Sequence, residues 1–422
     1  MWITVGISIL TLGLVLTRPR PLNEATAAAI GAVLMVVLQR VSLPQTLDVL
    51  QANINVLLFF LGLMAISAVA EQAGIFEWGA QFAVRFAGRN GTGLIITVII
   101  LGAIVTAFLS NDATALVLTP VVFTLVSKLK LNPLPYMFAT AFIANTASLL
   151  LPVSNPVNLL AVDAFSISLK DYLRYLFVPG LAAILINTLL FIVIFKKDIK
   201  ARFSIENIQS FEKYDKLFRF TGIVLGITAV AYLALSHYAL PLSLAAIGGA
   251  VILLSGGFVW RRLDWKGVRS RISWSILVFI FCLAVVVRGL ENSGVIRVMT
   301  ETLLRMASDS GLAIILSLAF GTALGSNLIN NWSMMMVSVS SLQSVGPFIS
   351  LHPGAPYAVI LGAALGPNLT IIGSLSSMLW LVLLRQRGLS IHPMTYFKLG
   401  LVVMPPMVLV GGIGIYLISR FS

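Results

Sequence analysis

Apolar runs of about 20 residues recur along this chain, the length a helix needs to cross the ~30 Å hydrocarbon core of a bilayer. They predict spanning helices near 2–17, 22–39, 53–73, 134–162, 173–195, 217–236, 240–258, 273–290, 355–386 and 395–419. Two of these, 134–162 and 355–386, are interrupted by polar, proline-containing breaks. Two more apolar regions, 92–127 and 311–344, carry a polar break at their centre, Ser110-Asn111-Asp112 in the first and Asn330-Asn331 in the second. The arms of the first, Gly93 to Leu109 and Ala113 to Val126, hold 17 and 14 residues. At ~1.5 Å per residue they reach about 25 and 21 Å, short of a crossing, and so predict re-entrant hairpins.

The pattern repeats. At a separation of 220 residues, Pro21-Leu22 matches Pro241-Leu242, Glu71-Gln-Ala-Gly74 matches Glu291-Asn-Ser-Gly294, and Asn111 matches Asn331. Each half carries five crossings, an odd number, so the second enters the membrane upside down. The expected fold is an all-α polytopic membrane protein of two inverted repeats, each with one re-entrant hairpin and one interrupted helix. The first repeat is placed at 1–195, a cytoplasmic connector at 196–216 and the second repeat at 217–422. Inverted repeats of this kind characterise alternating-access transporters, whose sites lie near mid-membrane where the repeats meet.

Composition and charge agree with a membrane solvent. Of 422 residues, 59% are hydrophobic and 10% charged, against roughly 25% charged in soluble domains. The net charge of +13 would suit nucleic acid in a soluble chain, but here the basic residues flank apolar segments. With both termini outside, 21 of 28 Lys and Arg fall on the inner side, among them Arg18, Arg20, Arg85, Arg89 and the run Arg261 to Arg271; that is the bias of cytoplasmic loops. The first segment lacks a basic flank and a cleavage site and reads as a retained helix. A single cysteine, Cys282, excludes an internal disulfide. With His237, His352 and His392 at segment ends, it predicts neither a metal site nor a cofactor.

The four breaks are the candidate site. Pro152, Pro156 and Pro367 remove backbone donors there, and unwound backbone at membrane depth is tolerated where it lines a cavity or is buried in protein. Asp112 is the one carboxylate that the segmentation sets deep in an apolar run, the position of a proton-coupling group. Asn111, Asn145, Ser148, Ser154, Asn155, Asn158, Asn327, Asn330, Asn331, Asn368 and Thr370 offer amides and hydroxyls as donors and acceptors for a substrate. Glu71 and Glu291, at helix ends near Arg85 or Arg288, read as gating or packing salt bridges, and Asn187 and Asn207 as structural or loop residues. One acid with no histidine or cysteine beside it makes no catalytic pair, so no enzyme is expected.

At these residues the chain resembles the ArsB-type arsenite permeases of the ion-transporter superfamily. The likeness rests on "SNDATALVLTPVV" from Ser110, "FIANTASLLLPVSNPVNLL" from Phe142, "GSNLINN" from Gly325, "LGPNLTIIGSLSSMLWL" from Leu365 and "LGLVVMPP" from Leu399. The resemblance implies a prokaryotic inner-membrane protein that exports trivalent arsenite and antimonite from the cytoplasm in exchange for protons. It also implies, for some members, work with a separate soluble arsenite-stimulated ATPase. The family often carries Asp where this chain has Asn145, which leaves Asp112 as the lone deep acid. Near neutral pH arsenite is mostly an uncharged trihydroxide, and amides suit its hydroxyls. Two other readings stay open. One is a sodium- or proton-coupled transporter of dicarboxylates or sodium, although no Lys or Arg lies in the breaks to meet a dicarboxylate. The other is a passive channel or a membrane-embedded enzyme.

Overall fold

Capping chemistry decides where the apolar runs become helices. The expected helix at 53–73 instead starts at residue 43, because Ser42 and Gln45 form a reciprocal capping box and Pro44 fits the first turn. In the computed structural model the helices are α1 (Trp2–Thr17), α2 (Glu24–Val37), α3 (Leu43–Gln72), α4 (Ile75–Phe86) and α5 (Gly91–Phe108). There follow α6 (Asn111–Ala113), α7 (Thr119–Lys128), α8 (Leu134–Thr146), α9 (Pro156–Phe165) and α10 (Leu169–Ile194). The second half has α11 (Lys216–His237), α12 (Ser243–Val259), α13 (Trp265–Arg271), α14 (Trp274–Asn292), α15 (Gly311–Ile329) and α16 (Asn331–Ser344). It ends with α17 (Pro347–Leu351), α18 (Ala355–Leu365), α19 (Leu375–Gln386) and α20 (Pro393–Arg420).

The structure describes residues 2–17, 22–88, 90–200, 203, 216–237, 240–260, 263–272, 274–294, 310–344 and 347–420. Pro21, Arg18, Arg20, Arg89, Arg202, Lys213, Arg261, Arg262, Arg297, Arg305, Asn207 and most of the connector lie outside them. No strand occurs among the described residues. The protein is all-α. The helices α5, α10, α15 and α20 are each long and apolar enough to cross a membrane, and α3 makes a fifth if its limbs, 40° apart at Asn55–Leu57, form one span. The first arms of the two hairpins, α5 and α15, have 18 and 19 residues; α5 starts ahead of the expected arm because Asn90 caps it, and α15 fills the expected stretch from Gly311 to the break at Asn330.

Elements recur at the separation seen in the sequence. Asn111 and Asn331 each open the second arm of a hairpin. Gly74 (φ 79°) and Gly294 (φ 75°) each follow α3 and α14 in the left-handed conformation that glycine adopts without strain. In the interrupted helices Leu151 and Thr370 share one backbone conformation (φ −136°, ψ 151° and 152°), and Asn155 and Ser374 each cap the helix that follows. There the separation is 219, one residue less. Packing exchanges equivalents: α3 lies on α12 while α14 lies on α2, and α10 packs on its own counterpart α20. The bend of α3 becomes a full break in the second half, between α13 and α14. The amphipathic helices α4 and α13 were not expected from the apolar runs. Gln72 holds α13 against the end of α3 through the backbone of Asp264, at 2.9 and 3.1 Å.

Small residues let hairpin and interrupted helix meet closely. A Cβ added at Gly366 would stand 2.6 Å from the carbonyl oxygen of Ala323 on α15, the close backbone approach of a small-residue interface. Gly366→Ala is therefore expected to destabilise the protein by about 1–3 kcal/mol, read as an earlier thermal unfolding in detergent.

Candidate functional site

Proline and threonine shape the first hairpin tip. Leu109 ends α5, and Ser110 turns the chain and caps α6 by accepting the Ala113 N–H at 3.0 Å. Beyond Asp112 the arm widens into a π-helical stretch, Thr114–Leu118. Pro120 lacks the N–H that would continue an α-helical ladder, and π-bulges cluster at functional sites. Asn111 and Asp112 are thus helical, and the break is Leu109–Ser110 rather than Ser110-Asn111-Asp112. Hydroxyl pairs tie the arms, Thr106 to Thr114 at 2.7 Å and Thr322 to Ser338 at 3.5 Å.

Asp112 reaches across to the other half. Its Oδ1 accepts the Ser376 hydroxyl of α19 at 2.6 Å. The carboxylate lines a cavity of about 30 Å³ with Phe60, Ser67, Glu71, Ser110 and Arg271, room for about two waters. Glu71 is ion-paired there with Arg271 of α13 at 2.7 Å, not with Arg85, because Gln72 fixes α13 beside it. Glu291 pairs with Arg288 at 3.4 Å, as the sequence suggested.

The second hairpin tip is strained. Asn330 has φ 71° and ψ 150°, a region that holds little but glycine and costs about 1–3 kcal/mol. Its own side chain stabilises the turn, donating to Ile372 O at 3.3 Å and accepting the Trp332 N–H at 3.1 Å. Trp332 packs on Phe60 at 5.7 Å between ring centroids, so α3 carries contacts with both tips.

The remaining predicted residues form three polar clusters. Asn145 donates to Asn368 at 3.3 Å and to Ser377 at 3.1 Å, and accepts the Ser374 hydroxyl at 3.1 Å. Asn368 donates to Thr146 at 3.0 Å. This cluster joins the two interrupted helices. Asn327 donates to Ala323 and Gly366 carbonyls and accepts the N–H and hydroxyl of Thr370, at 2.7–2.9 Å. It fastens α15 to the second interrupted helix. Ser148, Ser154, Asn155 and Asn158 bond within the first interrupted helix, to Ala107 and to Tyr172. Asn187 is separate from all three, buried in α10.

These amides are mostly paired with one another rather than set around one open chamber. At the hairpin tips, the Nδ2 of Asn111 and the side chain of Asn331, equivalent by the repeat, have no hydrogen-bond partner among the described residues, though both residues are buried. Away from the tips, both polar atoms of the Asn187 side chain and the Oδ1 of Asn158 are also buried without a partner. Sequence reasoning passed over Ser376 and Ser377, visible as small polar residues in an apolar run, and Asp163, one residue beyond the expected end of its helix. Asn145→Ala would remove one bond each from Asn368, Ser374 and Ser377, which keep Thr146, one another and Tyr396 as partners. Interhelical bonds in membranes are worth about 0.6–1.7 kcal/mol each, so a loss of about 2–3 kcal/mol is expected in detergent unfolding.

A second cavity mirrors the first. It holds about 330 Å³ and is lined by Ala284, Val287, Arg288, Glu291 and Met336 from the second half, with Val49, Ala52, Asn53 and Asp163 from the first. Ala284, Val287 and Glu291 stand 220 residues after Met64, Ser67 and Glu71 of the Asp112 cavity. One cavity borders the start of α3 and the end of α14, the other the end of α3 and Arg271 just before α14. The two helices therefore run in opposite directions past the site, with the cavities roughly 20 Å apart along α3.

The family model described as ArsB, arsenical pump membrane protein, matches residues 3–419. An arsenical pump membrane protein of Escherichia coli strain K12 is 31% identical over 418 residues, 97% of each chain. A putative arsenical pump membrane protein of Bacillus subtilis is 25% identical, over 93% of this chain and 94% of its own. The crystal structure of the YdaH transporter of Alcanivorax borkumensis shares the fold, with a TM-score of 0.63 over 100% of this chain and 98% of its own at 16% identity. The MtrF structure of Neisseria gonorrhoeae gives 0.52 over 98% and 94% at 15% identity.

Proposed function

This chain belongs to the arsenical pump membrane protein family, and we propose that it exports trivalent arsenite and antimonite through the bacterial inner membrane in exchange for protons. The observation that carries the coupling is Asp112, a carboxylate at a hairpin tip that faces a cavity and is bonded to Ser376 of the other half. An ionisable group in that place is suited to carrying a proton through the cycle.

The unpartnered amides of Asn111 and Asn331 suit the substrate. An uncharged trihydroxide needs donors and acceptors together, which an amide supplies. The paired amides, Asn145, Asn327 and Asn368, hold the half-helices in register around that position. The unequal cavities support alternating access: the one at Arg288 holds about 330 Å³ and the one at Arg271 about 30 Å³. With the termini outside, as the positive charges favour, this is an outward-facing arrangement.

The test is arsenite uptake into everted membrane vesicles under an imposed proton gradient, acid inside. Saturable uptake that collapses with the gradient is expected. Uptake that ignores the gradient and requires ATP with a soluble ATPase would move the energy source to that partner. Sodium- or dicarboxylate-driven flux without arsenite transport would favour the superfamily alternative.

A further inference from the structure

The Arg288 cavity holds an ionisable group that the transport reading does not use. Asp163 stands in its wall near the end of α9. Its Oδ2 accepts the side-chain amide N–H of Asn55 at 3.0 Å. The Oδ1 of Asn55 accepts the backbone N–H of Ser243 at the head of α12, at 3.3 Å. Asn55 also sits where the limbs of α3 diverge by 40°. One amide thus ties the first interrupted helix to the bend of α3 and to α12. The helix α9 packs with α16 and α18 and also touches α3, whereas the main partner of α3 is α12.

The electrostatic surroundings are sparse. α16 and α18, which pack on α9, carry no charged residue, and α3 contributes Asp48. Across the cavity, Arg288 and Glu291 are paired with each other. Asn53 and Gln343 complete the polar lining.

We propose that Asp163 is a second proton-binding carboxyl of the transport cycle, loaded from the Arg288 cavity, and that its protonation loosens the Asn55 bond tying α9 to α3 and α12. The inference rests on the proton-coupled reading above. An ionised carboxylate accepts the amide N–H in a charge-assisted bond, roughly twice as strong as its neutral equivalent. A proton arriving from cavity water occupies one carboxyl oxygen as O–H and leaves the other a weaker acceptor. Asp112 and Asp163 then serve opposite ends of α3, each meeting water when its own cavity is open.

The experiment compares the full chain with Asp163→Asn and Asp163→Glu in everted vesicles, using arsenite. Asp163→Asn can still accept from Asn55, so the fold is expected to persist. Gradient-driven uptake should fall about tenfold or more in Asp163→Asn and recover in Asp163→Glu, while arsenite exchange without a gradient stays within about twofold of the parent. A structural role would lower both. A second variant, Asn55→Ala, leaves the carboxyl ionisable but removes its donor. It should displace the dependence of transport on lumenal pH upward by about half a unit or more, since the neutral acid is then favoured. Asp163→Asn vesicles that take up arsenite under a gradient like the parent, or an Asn55→Ala pH profile that does not move, would overturn the role of Asp163. A parent chain with no gradient-driven uptake would instead overturn the transport reading itself.

Discussion

Replacing Asp112 by asparagine is expected to lower gradient-driven arsenite uptake in everted vesicles about 100-fold or more while leaving the protein folded. The substitution preserves shape, and the new side-chain oxygen can still accept the Ser376 hydroxyl that Asp112 accepts at 2.6 Å. What it removes is the ability to bind and release a proton. A group that acts only in the coupled step reduces turnover and leaves assembly intact. Thermal unfolding of Asp112→Asn should therefore stay within about 1 kcal/mol of the parent. Ser376→Ala provides a graded control. The carboxyl remains but loses the partner that orients it, and a loss of about tenfold is expected. Asp112→Asn vesicles that accumulate arsenite at the parental rate would remove Asp112 from the mechanism.

How much of this was legible in the residues depended on whether the signal was local. The apolar runs gave the helices, and the Glu71/Glu291 and Asn111/Asn331 matches fell at equivalent ends of equivalent elements. Pro152, Pro156 and Pro367 each sit in the first turn of a short or resumed helix, where proline is tolerated and the preceding helix has stopped. The start of α3 was missed because a polar capping box, Ser42 with Gln45, lies ahead of the apolar run and adds a limb at an angle. The partners of the polar residues were not legible. Nothing near Asn145 in the chain points to Ser377, 232 residues away, and whether an amide faces a substrate or another amide depends on packing between the halves. Asp163 went unnoticed for the same reason. Its significance comes from Asn55, 108 residues earlier.

Thiol labelling should distinguish the two cavities by at least about tenfold, because they are related by the repeat yet differ in volume. The chain has one cysteine. Cys282→Ser gives a background without thiols, and this side chain makes no bond that the site uses. Ser67→Cys then reports on the Arg271 cavity, and Ala52→Cys reports on the Arg288 cavity from an exposed position in its wall. In the state described, the cavity at Ala52 holds about 330 Å³ and the one at Ser67 about 30 Å³, so a membrane-impermeant maleimide should modify the former quickly from outside and barely reach the latter from within. If one unit rocks against the other, conditions that speed labelling at Ser67→Cys must slow it at Ala52→Cys, since a ligand can only move the populations of states already available. A saturating arsenite load on the cytoplasmic face is expected to produce that reciprocal change. Channels do not behave this way, because an open pore exposes both positions at once. Simultaneous fast labelling of both would therefore replace alternating access with a pore, and constant labelling under every load would leave the unequal cavities without a role in transport.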